Sequence, residues 1–403
     1  MKKTIISIAL ILFISFLAAA NGKVLFQYKQ TKGNAVSHVS TVQEEAYLNG
    51  RLQNKTEFIN RTTTTIESVE KDGSAMLHTH YMTTQNTLMN GSSETLSWGE
   101  EDDVRIHRKA NGELYESDNK FLPTVQNVPA FPDQAVAIGD SWQKTGYEVH
   151  DMTELFGMTD AIRIPFTATY KYAGDEEING HKYQLIEVYY EFLQNNTYGD
   201  YYQNTSYAGA AGYAKQNLYW DASRNELDHF EEEFQIKMVD IYNNVYLFNG
   251  ISQGEVTEYK SVNNEDNVKA LEDKVRKFKL YNISVKKGEK GLTISMENIQ
   301  FEPDSDRLLP SEQEKLKKIG ELLKDYSNDL LITGHTALRG TEKGRQQLSE
   351  ERAAAVANFL IGEGIRDSKH VFTQGKGAKE PIATNANEAG RSKNRRVEIT
   401  IMD

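Results

Sequence analysis

Over most of residues 23–260, apolar and polar positions alternate with a period of two. Val24, Phe26 and Tyr28 are separated by polar neighbours, and Arg61 to Val69 is a threonine-rich run that Asp72-Gly73 turns into Ala75–Thr83. An Asp-Gly or Asn-Gly pair between two such runs predicts a β-hairpin. Asn179-Gly180 plays that part between Phe166–Ala173 and Tyr183–Phe192. Asp221 to Asn225 joins Ala214–Trp220 to Leu227–Met238 in a third hairpin. The spacing allows one short helix, around Asp151 to Met158. Pro123, Pro129 and Pro132 mark an irregular crossing ahead of a strand that starts at Ile138-Gly139-Asp140-Ser141-Trp142. Long β runs rich in Thr and Tyr predict an all-β antiparallel region: a large curved sheet, a sandwich or an open barrel.

At Ser261 to Asp266 the period changes. Val268, Leu271, Val275 and Phe278 fall at helical spacing. Two short strands follow between Lys279 and Glu297, around a Lys-Gly-Glu-Lys-Gly turn. Pro310-Ser311 opens a helix with Leu316, Ile319, Leu322 and Leu323 on its apolar face. A strand at Leu330–Thr333, a second long helix stopped by Gly362 and Gly364, and strands at His370–Thr373 and Val397–Ile401 complete the order. This order predicts an α/β sandwich, one mixed sheet with helices on one face. The expected organisation is multidomain: 1–20 a signal peptide, 21–260 all-β, 261–280 a helical lead-in, and 281–403 the α/β domain.

Composition narrows the classes. The 403 residues carry a net charge of -12, and no cysteine occurs among them. Disulfides, thiolate zinc sites, cysteine catalysis and lipid attachment at a cysteine are therefore absent. Lys2-Lys3, the apolar run Thr4–Leu17 and the small residues Ala18-Ala19-Ala20 have the layout of a cleaved secretory signal. The run is short of the about 20 residues a membrane span needs, so no transmembrane segment is expected after cleavage. Residues 1–260 hold 21 Lys+Arg against 35 Asp+Glu, whereas 261–403 hold 25 against 23. So acidic a first part argues against nucleic acid and anionic lipid headgroups as its partners.

Few constellations in the β part point to chemistry. Tyr198, Tyr201, Tyr202, Tyr207 and Tyr213 lie among Asn, Gly, Ala and Ser, as an aromatic rim of a ligand groove or, more simply, a long connecting loop. His78 and His80, two apart on a strand, face one side as metal ligands would, but the sequence offers no third partner. Glu100-Glu101-Asp102-Asp103 reads as a solvated turn, since it lacks the alternating order of a calcium loop. There is no nucleophile elbow, metal spacing or Gly-rich phosphate loop. The expectation is a non-catalytic protein without metal or cofactor.

The C-terminal third carries the strongest pattern. Asn298-Ile299-Gln300-Phe301 precedes its first helix. Gly334-His335-Thr336, Gly340, Leu348-Ser349, Arg352-Ala353, Gly375-Lys376-Gly377, Pro381 and Asn394-Arg395-Arg396-Val397-Glu398 follow in order. In these residues the stretch from about 267 to 403 resembles the OmpA-like (OmpA/MotB/Pal) peptidoglycan-binding domain. The resemblance implies a noncovalent grip on the free end of a peptidoglycan stem peptide. In the family, an Asp directly after Gly-His-Thr pairs with the ammonium of the diamino acid. The Arg of Leu-Ser-x-x-Arg-Ala, here Arg352, pairs with its carboxylate. A zwitterion needs one acceptor and one forked donor, and Arg holds a carboxylate bidentately.

Two positions depart from that pattern. Ala337 stands where the family has Asp, and Arg345 where it usually has Asn. The pocket loses an anion and gains a cation. Three outcomes stay open: a peptidoglycan of non-standard diamino acid, a more anionic partner held by Arg345, Arg352 and Arg395, or a fold that has lost the ligand. Glu342 in the same loop is a candidate replacement for the missing carboxylate. The expected site is Thr336, Ala337, Arg345, Arg352, Asn394 and Arg395, with Arg395 rather than Arg396 facing the pocket. His335 is expected to be a packed residue of the turn. The expected function is cell-wall binding in the periplasm, in association with the outer membrane. The rival reading is a lipid or glycan carrier in the β region, with an OmpA-like domain that no longer binds diaminopimelate.

Overall fold

The computed structural model describes residues 22–87, 96–119, 121–158, 160–195, 206–259, 264–288, 290–301 and 307–402. The signal segment, Tyr198, Tyr201, Tyr202 and the first half of the Ser261–Asp266 junction lie outside these residues.

The alternating pattern folds as expected into long antiparallel strands. These are β1 (Ala35–Leu48), β2 (Arg51–Val69), β3 (Ala75–Thr87), β4 (Leu96–Ser97), β5 (Glu100–Arg108), β6 (Leu114–Tyr115), β7 (Val125–Gln126), β8 (Ser141–His150), β9 (Ile162–Ile178), β10 (His181–Asn195), β11 (Tyr207–Asp221), β12 (Glu226–Asp240) and β13 (Val245–Glu258). The short helix α1 (Thr153–Phe156) follows β8. Asn179 and Gly180 both take positive φ, 53° and 79°, which matches the right-handed twist of β9 and β10 through a tight turn. All but β4 form one twelve-stranded sheet, ordered β6-β5-β3-β2-β1-β13-β12-β11-β10-β9-β8-β7. Its two edges come together: the Leu114 amide donates to Asn127 Oδ1 at 2.7 Å, and Lys144 on β8 pairs with Glu113 at 2.9 Å. The sheet is thus a nearly closed barrel. Its interior beside β8–β11 is packed with large apolar side chains, among them Tyr170, Tyr190, Phe192 and Trp220. The acidic run Glu100–Asp103 is not a turn but the start of β5, where pairing with β3 satisfies its backbone.

The second period gives α2 (Glu265–Lys277), β14 (Ile283–Lys287), β15 (Gly291–Glu297), α3 (Pro310–Leu323), β16 (Leu330–Gly334), α4 (Glu342–Gly362), β17 (Val371–Gly375), α5 (Glu388–Asn394) and β18 (Arg396–Met402). One sheet face meets the helices through Ile294, Ile332 and Ile399 against Leu316, Ile319, Val356 and Leu360. The other face, which the pattern leaves without a partner, docks on the outer wall of the barrel. There Leu331, Phe372 and Met402 pack against Val39, Ile59, Met82 and Trp98. Arg61 Nε on β2 donates to Asp329 Oδ2 at 3.0 Å, with both side chains buried. The connection between β3 and β5 contributes β4, which pairs in parallel with β17 and covers that sheet edge. The Trp98 amide extends the ladder to the Thr373 carbonyl at 2.6 Å. α5 was not legible as a helix, because it is short, polar and begins at the cap Asn387.

Candidate functional site

The site is built where β16 ends against α4. A side chain at Gly334 would put a Cβ 2.1 Å from the Ser349 carbonyl oxygen, so only glycine lets the strand pass this close to the helix. Ser349 ties the crossing to the next loop: its hydroxyl donates to the Gln346 carbonyl at 2.7 Å and accepts from the Gly377 amide at 2.9 Å. The Leu-Ser and Gly-Lys-Gly motifs are therefore one hydrogen-bonded unit.

The bend itself follows. His335 is buried, its amide donates to the Arg396 carbonyl, and burial pushes its imidazole below the ordinary range. A neutral, packed histidine is the result. The Thr336 amide donates to the Gly377 carbonyl at 2.8 Å, while the Thr336 hydroxyl is buried with no hydrogen-bond partner. Ala337 is 7 % exposed, and its carbonyl accepts from the Arg339 amide. Thr341 caps α4 by accepting from the Gly344 amide at 3.1 Å. Glu342 is exposed on the first turn.

Arg345 and Arg352 are seven residues apart on α4, two turns along one face and about 10 Å along the axis. Arg345 is half-buried and donates through Nη1 to the Gly340 carbonyl, while its Nε is buried without a hydrogen-bond partner. The Arg352 guanidinium lies over the Phe301 ring, 4.8 Å from its centre. A cation held on an aromatic face keeps its planar donors in a fixed orientation.

Asn394 and Arg395 sit differently. Asn394 is almost wholly buried: its Oδ1 accepts from the Ile382 and Ala383 amides at 2.9 Å each, and its Nδ2 donates to the Ala383 carbonyl and to Asn385 Oδ1. Asn385 Oδ1 also accepts from the Leu338 amide at 3.0 Å. Asn394 thus fixes the backbone just after Ala337 through Asn385, a residue the sequence did not single out. Arg395 Nη2 pairs with Glu388 Oε1 at 2.6 Å on the surface of α5. Arg396 turns inward to Glu398 Oε1 at 2.9 Å and the Glu380 carbonyl at 3.1 Å. Burial alone would raise the Glu398 carboxyl, but His335, whose Nε2 lies 3.8 Å away, and the bond from Arg396 outweigh it and hold it well below the usual carboxylate range.

In the β region, Asp103 on β5 supplies the partner that His78 and His80 lacked. Its Oδ1 lies 3.0 Å from His78 Nε2 and 3.2 Å from His80 Nδ1. Among the described residues no group of three such side chains is arranged to hold a metal ion. No helix among them is long and apolar enough to cross a membrane.

Comparison with known proteins bears on the same end of the chain. The OmpA family model matches residues 300–395. Outer membrane protein A of Bordetella avium is 38% identical over 103 residues, covering 25% of this chain and 53% of that protein. The probable lipoprotein YiaD of Escherichia coli K12 is 34% identical over 133 residues, 32% of this chain and 59% of that protein. The peptidoglycan-binding protein ArfA of Mycobacterium bovis is 38% identical over 104 residues, 26% of this chain and 32% of that protein. The chain spans less than two thirds of each of these relatives. With its glycine crossing, its capped second helix and its matched motifs, the C-terminal part of the chain is a domain of the OmpA family, joined to a β barrel that no family model matches.

Proposed function

We propose that the OmpA family domain binds peptidoglycan noncovalently and anchors the barrel to the cell wall in the periplasm, in association with the outer membrane. The observation that carries this reading is Arg352. It occupies the family's carboxylate-binding position, on the same helix face as Arg345, with its guanidinium held over Phe301. The kinship with proteins named for peptidoglycan binding and for the outer membrane supports it. In this reading Arg352 clamps the stem-peptide carboxylate, and the unpartnered Thr336 hydroxyl donates or accepts beside it. Asn394 holds the Asn385–Leu338 contact that shapes the bend, and Arg395 adds positive potential at the rim.

Ala337 retunes the pocket. A methyl group offers nothing to an ammonium, and a hydrogen bond to a charged group contributes about 1.5–3 kcal/mol. Affinity for a diaminopimelate zwitterion then falls about ten- to a hundredfold. The preferred ligand is a stem peptide whose free end carries a carboxylate without a compensating ammonium, as when the distal amine is consumed in a cross-link. Calorimetry with a diaminopimelate-containing stem peptide tests this. Ala337→Asp is expected to tighten binding about ten- to a hundredfold over the native protein. Unchanged affinity in a folded Ala337→Asp protein would remove that position from the site.

A further inference from the structure

The barrel interior is packed beside β8–β11, and again where β2, β3 and β5 bury Ile66, Leu77, Val104 and Ile106, but is less filled along the stretch between. Three register rows cross the inner wall in the same sense. One runs Gln216, Glu232, Ser252, Val42, Phe58; the next Ala214, Phe234, Gly250, Glu44, Thr56; the third Gly212, Ile236, Phe248, Ala46, Asn54. Their outward neighbours Glu231, Glu233, Ile251 and Gln253 are exposed, which fixes these rows as the inner face. Toward β8–β11 the rows end in fully buried side chains such as Val188, Tyr190 and Phe192. Toward β12, β13, β1 and β2 they do not: Glu232, Phe234, Phe248, Val42 and Phe58 all keep accessible surface. Val42, Phe58 and Phe248 belong to none of the buried apolar clusters.

Glycines keep this stretch open. A Cβ at Gly250 would come within 2.2 Å of the Phe234 ring, and one at Gly254 within 2.4 Å of the Phe230 ring. Each ring therefore lies flat along the wall over its cross-strand glycine instead of projecting into the lumen. The result is a smooth apolar surface, broken by acceptors. Gln216 Oε1 and Asn54 Oδ1 are buried without hydrogen-bond partners, and Glu232 accepts from Gln216 Nε2 at 2.7 Å. Burial pushes the Glu232 carboxyl up to about 7 and raises that of Glu44, as expected of a poorly hydrated interior. No lysine or arginine occupies the three rows from β11 to β2.

We infer that the incompletely packed stretch of the barrel interior, along β12, β13, β1 and β2, is a binding cavity for a single-chain apolar molecule whose head is uncharged and donates hydrogen bonds, such as a monoacylglycerol. The flat phenyl wall takes the chain, and Gln216, Asn54 and Glu232 take the hydroxyls. A carboxylate or phosphate head would face the Glu232 and Glu44 carboxyls with no lysine or arginine in these rows to compensate its charge. This inference is independent of the cell-wall reading.

The test uses the full-length, delipidated protein and the uncharged fluorophore N-phenyl-1-naphthylamine at pH 8. Saturable, one-to-one fluorescence enhancement is expected, with displacement by 1-monooleoylglycerol at least tenfold more effective than by oleate. Val42→Trp fills the lumen and should weaken probe binding at least tenfold, whereas Ile251→Trp, on the outer face, should leave it unchanged. If Val42→Trp does not fold, the ratio between the two displacing lipids decides alone. Absence of saturable binding, equal displacement by oleate, or full binding by a folded Val42→Trp protein would overturn the inference.

Discussion

The two sheets of this molecule solve the problem of their faces in opposite ways. The six-stranded sheet is covered on both sides, by helices on one and by the barrel wall on the other, and its edge is closed by β4. The twelve-stranded sheet curls until its own edges meet, yet leaves inward side chains of β1, β2, β12 and β13 only partly buried. The first arrangement fixes a rigid bend, and a site made from a bend and a helix face needs that rigidity. The second keeps space. What distinguishes them is the choice at inward positions: interlocking Leu, Ile and Val in one, and phenyl rings lying flat on glycines in the other.

The contrast breaks most sharply at the junction. Arg61→Ala leaves the buried Asp329 carboxylate without its guanidinium, facing His370 Nδ1 at 2.7 Å. Removing one member of a buried pair costs about 3–5 kcal/mol. Chemical denaturation of the full chain should show that loss, or a separate early transition of the C-terminal domain if docking fails first. A loss below about 1 kcal/mol would mean that the two sheets are not energetically joined there.

A smaller effect is expected inside the OmpA family domain. Asn394→Ala deletes four hydrogen bonds and strands the Ile382 and Ala383 amides. The expected cost is about 2–3 kcal/mol, read as a lowered unfolding midpoint together with weakened wall binding. Weakened binding with unchanged stability would instead make Asn394 a direct ligand contact.

The smallest effect distinguishes the barrel's dry interior from an ordinary solvated one. Glu232 has a folded value of about 7 against an ordinary value of 4.5, so the folded state holds its proton more tightly than the unfolded state. Stability from this group is full below the ordinary value and is lost as pH rises toward 7, with no further loss above. The loss is about 1 kcal/mol after allowing for residual solvent access. Glu232→Gln should flatten that slope in thermal unfolding followed from pH 4.5 to 8. An unaltered slope would point to a hydrated lumen.

What was legible in the sequence follows from how local each cause is. Hairpins at Asp72-Gly73 and Asn179-Gly180 are set by a few residues and appear in place. The bend at Gly334 and the helix that carries Arg352 were readable because motif spacing encodes them. Pairing of Asn394 with Asn385, and of Arg61 with Asp329 across 268 positions, depends on tertiary approach that no window of sequence contains. The same holds for β4, two residues from the β region that complete the other domain's sheet. The third partner of His78 and His80 was hidden for a similar reason: Asp103 reaches them only through the β3–β5 register.

Co-sedimentation of the full-length protein with purified peptidoglycan sacculi tests the central claim most directly. Native protein should pellet with the sacculi, and Arg352→Ala, with its fold confirmed by circular dichroism, should remain at least tenfold more in the supernatant. Equal pelleting of the two proteins, or no pelleting of either, would contradict anchoring through Arg352.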